Sequence, residues 1–269
     1  MRVSRSAYYA YLRRGAVIIT AKELHLYRRT KRLFEKSRDS LGSRQLTKKL
    51  RKEGFKVGRY KVMRLMKKLN LHVKQRVAYK VTTMRKHSDA VADNVLQQQF
   101  NPCGANKVWA GDVTYLRTKQ GWMYLAIVMD LYARRIIGWS IEKRMTKGLV
   151  IRAMKMAIAL RGHHQGLIFH SDRGSQYTSN KFQKLLKISD ITASMSSKGA
   201  CLDNAVVERF FGSLKHEWLL NVSHLTRESM KRDVEAYIKY YNRERLHTSL
   251  GDLSPIEYEN SFKKVCCLS

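Results

Sequence analysis

Along the first 70 residues the apolar positions recur three and four apart, the spacing of helices that each bury one stripe. Ser6–Arg14 is a short aromatic helix whose Tyr8, Tyr9 and Tyr11 are expected to pack on a neighbouring helix. Residues 21–37 read as a basic helix with Leu24, Tyr27, Leu33 and Phe34 as its apolar positions. Ser43–Glu53 turns Leu46 and Leu50 inward and is broken by Gly54-Phe55-Lys56-Val57-Gly58. Arg59–Leu69 follows with Val62, Leu65, Met66 and Leu69 on one stripe; Met63 and Met66 are both expected in the core. Two short helices around a glycine-bearing turn predict a helix-turn-helix over about residues 43–69, its second helix suited to a DNA major groove. Arg59, Lys61, Arg64, Lys67 and Lys68 lie outside the apolar stripe and are candidate DNA contacts.

Periodicity is lost over residues 76–104, which contain Gln97-Gln98-Gln99 and end at Asn101-Pro102-Cys103-Gly104. This reads as a linker, with a short helix near Ala90–Gln98. From Lys107 the period becomes that of a strand. Val108–Leu116 alternates, placing Ala110, Asp112, Thr114 and Leu116 on one face. Lys119-Gln120-Gly121 turns the chain into Trp122–Leu131, whose unbroken apolar run suits a central strand, and Ala133-Arg134 turns it again into Arg135–Ile141. A helix over Lys147–Leu160, a strand over Gly166–Phe169, a helix over Asn180–Ile188 and a strand over Ile191–Met195 follow. The order βββαβαβα predicts an α/β fold: a ribonuclease-H-like core with a mixed five-stranded sheet and helices on both faces. Thr226 is placed to cap a helix running to about Tyr241, and a last short helix follows Pro255. The domain reading is a basic helical region over 1–75, a linker over 76–104 and a catalytic core with C-terminal helices over 105–262.

Charge sharpens this picture. The formal net charge is +32, and residues 1–90 hold 27 Lys and Arg against 5 Asp and Glu, while the other 179 residues hold 26 against 16. The front of the chain is therefore built for a polyanion. No 18-residue apolar span or signal-peptide pattern is present, which points away from membranes and to a cytoplasmic, nucleoid-associated protein. The four cysteines form no C-x-x-C pair, so neither a disulfide framework nor a zinc site is expected.

Three acids stand out. Asp112 sits in the middle of the first, central strand, where an unpaired carboxylate is costly to bury. Asp172 follows the apolar strand Gly166–Phe169, and Glu208 lies in a helical run. Seven positions after Glu208, almost two full turns, comes Lys215; Asn204, Glu208, Gly212 and Lys215 are expected on one helix face. An acid at a strand's end facing one on a helix, completed by Asp112, makes an oxygen cage for a divalent ion, and a neighbouring lysine suits a phosphate. Asp130, near the end of the second strand, is the rival acid, expected instead to bond the Ala133-Arg134 turn.

The stretches Val108–Tyr115, His170–Ser179, Asp203–Lys215 and Tyr241–His247 together resemble the second-frame subunit of insertion-sequence-three family transposases, whose core is similar to retroviral integrase. The resemblance runs from about Ser4 to Tyr258. It implies that Asp112, Asp172 and Glu208 are an acidic catalytic triad working with two Mg²⁺ or Mn²⁺ ions. Lys215 is by the same resemblance the basic residue after the glutamate, and Lys215 and Asn204 are expected to position the phosphate backbone. The implied activity is metal-dependent cleavage and strand transfer of an insertion sequence, without a covalent protein intermediate. The implied partners are double-stranded DNA (element ends and target), an upstream first-frame subunit normally joined by frameshifting, and further copies of the chain on DNA. One departure is Asp252, which stands where the family commonly has an aromatic. A ribonuclease-H-like nuclease without strand transfer, and a non-catalytic DNA-binding regulator, are the competing readings.

Overall fold

A computed structural model describes residues 4–13, 19–73, 92, 94–96, 101–196, 204–219 and 222–266. The chain divides into two compact units, Met1–Gln75 and Arg76–Ser269.

The first unit contains helices α1 (Arg5–Arg13), α2 (Ala21–Lys36), α3 (Ser43–Lys52) and α4 (Arg59–Lys68). Its core gathers Leu26, Leu33 and Phe34 of α2, Leu46 and Leu50 of α3, and Val62, Leu65 and Met66 of α4. Gly54, with φ +89°, ends α3. There the Phe55 N–H reaches the Leu50 carbonyl and the Gly54 N–H that of Arg51, both at 3.0 Å, a closure that needs a left-handed residue at Gly54. Arg29 of α2 grips Glu53, beyond the end of α3, with two N–H donors at 2.5 and 2.6 Å.

Three expectations are corrected in this unit. Tyr8, Tyr9 and Tyr11 are exposed, and α1 buries none of its residues. In α2 the buried stripe is Leu26, Thr30, Leu33 and Phe34, while Leu24 is exposed. Thr30 is tolerated inside because its hydroxyl donates to the Leu26 carbonyl at 2.8 Å. Met63 is also exposed, about 100° around α4 from Val62; only Met66 of the pair is core.

The second unit holds β1 (Val108–Thr118), β2 (Gly121–Asp130), β3 (Arg135–Glu142), α5 (Lys147–Arg161), β4 (Leu167–Ser171), α6 (Ser175–Thr178), α7 (Asn180–Ile188), β5 (Ile191–Met195), α8 (Ala205–Leu214), α9 (Arg227–Arg243) and α10 (Pro255–Cys266). The strands form one sheet in the order β3-β2-β1-β4-β5. β1, β2 and β3 are an antiparallel meander, and β4 and β5 add in parallel. This is the expected mixed five-stranded ribonuclease-H-like sheet. Alternation along β1 and β2 feeds two apolar layers. Ala110, Leu116, Leu125 and Ile127 meet Val207, Phe210 and Leu214 of α8 and Val234 and Tyr237 of α9. Trp109, Ala126 and Val128 meet Leu149, Ala153 and Ala157 of α5 and Phe182 of α7. The short helix expected over Ala90–Gln98 lies largely outside the described residues; Ala92 and Asn94–Leu96, its described part, are not helical.

Asp130 is structural. Its carboxylate accepts from the backbone N–H of Asn106 at 2.9 Å and of Tyr132 at 3.1 Å, so it does hold the turn. Arg161, 3.8 Å from Asp130, also grips Glu259 of α10, which Arg135 bonds at 2.7 Å. Burial alone would raise the Glu259 carboxyl, but hydrogen bonds from Arg161 and Arg135 hold it below its ordinary value.

α5 crosses β3 on small residues. A Cβ at Gly138 would stand 2.1 Å from the Ala153 carbonyl oxygen and 2.9 Å from the Ala157 Cβ. Replacing glycine by alanine in an unstrained strand gains about 0.5–1 kcal/mol, whereas overpacking against backbone costs about 1–3 kcal/mol, so the clash decides the sign. Gly138→Ala is expected to lower the denaturant midpoint of this unit; an unchanged or raised midpoint would refute the close approach.

Candidate active site

The site begins with a strand register. β1 and β4 pair in parallel as Val108 with Ile168, Trp109 with Phe169 and Ala110 with His170. Continuing that register by two residues sets Asp112 level with Asp172, just past the end of β4. Parallel neighbours at one level point their side chains to the same face. For Asp112 that is the face of Ala110 and Leu116, the one α8 covers.

Two of the acids are held by neighbouring backbone N–H groups. Asp112, half-buried, accepts from the Val113 N–H at 2.7 Å. Asp172, exposed, accepts from the Gly174 N–H at 3.0 Å as the chain turns into α6. Beside it, His170 is buried and bonded through both ring nitrogens to the hydroxyls of Ser194 (3.0 Å) and Ser196 (3.2 Å). The Arg173 guanidinium donates to the Ser196 carbonyl at 2.7 Å. The residues flanking Asp172 therefore clamp the end of β4 to β5.

Glu208 is exposed on α8, its carboxyl raised by partial burial. Lys215 directly follows α8 and starts a π-helical turn, Lys215–Leu219. Its ammonium lies 4.8 Å from the Tyr115 ring centre. Burial lowers the Lys215 pKa, and the charge of Asp112 partly offsets this. Asp112 carries the strongest perturbation. Burial and then the Asp172 charge push it well above its ordinary value, and Glu208 adds to the rise, while the Val113 N–H and Lys215 oppose it. The three acids and the lysine thus act on one point. Among the described residues, no three His, Cys, Asp or Glu side chains are gathered tightly enough to hold one metal ion in this conformation.

Asn204 is not on the helix face expected for it. It is the residue before α8, buried, and its side-chain amide donates to the Gly111 carbonyl at 3.4 Å, tying the helix start to β1 beside Asp112. Arg59, Lys61, Arg64, Lys67 and Lys68 belong to the first unit, all exposed on α4. Arg64 sits 5.8 Å from the exposed Tyr60 ring, and Lys68 donates to the Tyr27 hydroxyl at 3.1 Å.

Tyr177 was not singled out from the sequence. It is 2 % exposed, packed on Phe169 and Phe182, and its hydroxyl is buried without a hydrogen-bond partner among the described residues. Burial raises its pKa, and the charges of Asp112 and Asp172 raise it further, so the hydroxyl lies within electrostatic reach of both. Its place inside the His170–Ser179 motif was the one available signal.

Residues 103–201 match the integrase core domain family, residues 189–255 a second integrase core domain model, and residues 21–79 an HTH-like domain. The chain is 40% identical over 263 residues to transposase InsF for insertion sequence IS3A of Escherichia coli (strain K12), covering 97% of this chain and 91% of that one. The chain belongs to the IS3 transposase family. This transposase is also 37% identical over 264 residues to an uncharacterized 31 kDa protein of insertion element IS600 from Shigella sonnei, covering 98% and 97% of the two chains. Its fold is similar to that of one chain in the structure of the simian T-cell lymphotropic virus intasome in complex with PP2A regulatory subunit B56 gamma, at a TM-score of 0.52 and 16% identity over 86% of this chain and 74% of that one. As an IS3-family transposase with an integrase core it is a polynucleotidyl transferase that acts on DNA, and nothing favours the purely hydrolytic or regulatory readings. The HTH-like match starts at α2, ahead of the two helices expected from the sequence, and α2 supplies three of the ten buried apolar residues of that unit's core among the described residues. Among the described residues no helix is long and apolar enough to cross a membrane.

Because the Asp112 pKa is raised in the fold, its ionised form is the one that costs stability. That cost is full above the raised value, falls as pH drops through it and is gone only below the ordinary carboxylate pKa of the unfolded chain. Asp112→Asn is therefore expected to raise the neutral-pH melting temperature of the chelator-treated transposase, by about 2–4 °C per kcal/mol of repulsion removed. The advantage should shrink in acid. A variant no more stable than wild type at neutral pH would count against a carboxylate strained by its neighbours.

Proposed function

We propose that Asp112, Asp172 and Glu208 form the catalytic acidic triad with which this transposase cuts and joins DNA. The observation that carries the reading is the convergence of the Asp172, Glu208 and Lys215 charges on Asp112. Carboxylate oxygens are the donors that hard divalent cations prefer, and an acid pushed up by burial and like charge is relieved by a cation. The three acids would hold a pair of Mg²⁺ or Mn²⁺ ions, which when bound supply Lewis-acid neutralisation of charge at the phosphate. Asp112, fixed on the central strand, is the stationary member, and Glu208 on α8 completes the set. Lys215 pairs its ammonium with the phosphate next to the reacting one, and Asn204 keeps the start of α8 in register with β1.

In the first step water attacks the phosphodiester in line and the element's 3′-oxygen leaves with a proton as a hydroxyl. In the second, that hydroxyl attacks a target-strand phosphodiester, a new P–O bond forms, and the target's own 3′-oxygen departs. No bond to the protein is made. Arg59, Lys61, Arg64, Lys67 and Lys68 of α4 would grip element-end DNA, with copies of the chain and an upstream first-frame subunit assembling on it beside the nucleoid.

With a labelled element end, target DNA and Mg²⁺, wild type is expected to cleave and join. Asp112→Asn should bind the same DNA with both products reduced by at least about a thousandfold; undiminished joining would overturn the assignment. Lys61→Ala with Arg64→Ala should weaken binding on all sequences and reduce the slope of log K against log salt by about 0.9 for each phosphate that is no longer neutralised. An unchanged slope would remove α4 from the DNA interface.

A further inference from the structure

A cavity of about 760 Å³ opens beside Lys215, within the roughly 300–1,000 Å³ of small-ligand sites. It exists because β1 outruns its neighbour. β4 pairs with β1 only over Val108–Ala110, whereas β2 follows β1 to Thr118. From Gly111 onward one edge of β1 therefore has no strand partner among the described residues, and five consecutive residues, 115–119, line the cavity.

Its walls are aromatic and cationic. Tyr115 and Trp122, diagonal across the β1–β2 ladder, meet edge to face at 5.4 Å, and Trp122 remains 46% exposed. The Arg117 guanidinium lies 5.8 Å from the Trp122 ring centre, and the Lys215 ammonium 4.8 Å from that of Tyr115. Buried Leu116, Leu219 and Met230 make an apolar floor, and no Asp or Glu among the described residues lines the space. A half-exposed indole, an apolar floor and a cationic rim describe a site for one planar ring attached to a phosphate. A duplex is too wide to enter a cavity of this size; a single base is not.

We propose that this cavity receives one nucleobase unstacked from the DNA strand beside the scissile phosphate, its ring against Trp122 and its phosphate held by Lys215. The proposal rests on the placing of the reacting phosphate at Asp112. A strand turned out there leaves the neighbouring linkage open to in-line attack, and the base bound in the pocket keeps it open.

Two measurements on the full chain test this without requiring turnover. In the first, 5-iodouracil replaces each of the four bases flanking the cleavage point in turn, and the complex is irradiated. One position is expected to crosslink to Trp122 or Tyr115. Crosslinks confined to other residues overturn the proposal. In the second, binding of element ends is measured in the Asp112→Asn background, so the outcome does not depend on catalysis by the triad. Adding Trp122→Ala should weaken binding by about tenfold, Trp122→Phe should restore most of it, and a mismatch pre-opening the flanking pair should shrink the alanine defect. Equal losses on paired and mismatched ends would show that Trp122 only supports the β1–β2 arm, and the proposal would fail. If instead Asp112→Asn turns DNA over normally while the crosslink appears, the triad reading fails and the base site stands.

Discussion

Three residues of parallel pairing between β1 and β4 decide where the rest of this transposase goes. Val108–Ala110 against Ile168–His170 set the level at which β4 ends, and that level puts Asp172 beside Asp112. Had the pairing slipped by one residue, Asp112 would face the opposite layer from its partner. The brevity of the pairing matters as much. Beyond Ala110 no strand among the described residues covers that edge of β1, which leaves room for Lys215 to approach Tyr115 and for the aromatic cavity to form.

Gathering negative charge at that point opposes folding, and the surrounding structure offsets it. Two apolar layers close over the sheet, and burial of each large side chain is worth about 1.5–3 kcal/mol. Polar groups near the acids are spent on holding backbone: His170 on two serine hydroxyls of the β5 segment, Arg173 on the Ser196 carbonyl, Asn204 on the Gly111 carbonyl. Farther off, Glu217 on the π-helical turn is gripped by Arg245 at 2.6 and 2.8 Å and by the Tyr237 hydroxyl at 3.0 Å, which anchors the turn that carries Lys215. Asp112 is left as the strained member of that frame, pushed up by burial and by the charges of Asp172 and Glu208.

Much of the second unit was legible from residue order. Alternation in Val108–Leu116 located β1 and its inward face, and the extents of α7 and β5 matched the pattern of their apolar residues. The Thr226 cap also stands, its hydroxyl accepting from the Ser229 N–H at 3.1 Å. The failures have more than one cause. Periodicity counts apolar residues, so Thr30, buried through a bond to its own helix, was passed over while Leu24 and Met63 were assigned to the core. Asn204 was assigned a helix face by counting back from Glu208, but the helix starts one residue later.

Sequence alone determined the element order, the two-sided sheet and the crowding of positive charge at the front, because each is a local pattern or a composition. Tertiary structure decided which atoms share a site. The register of β4 on β1, the burial of the Tyr177 hydroxyl and the meeting of Tyr115, Trp122 and Lys215 all join residues distant along the chain. Such distances are set by how strands and helices pack, and no spacing within the chain records them.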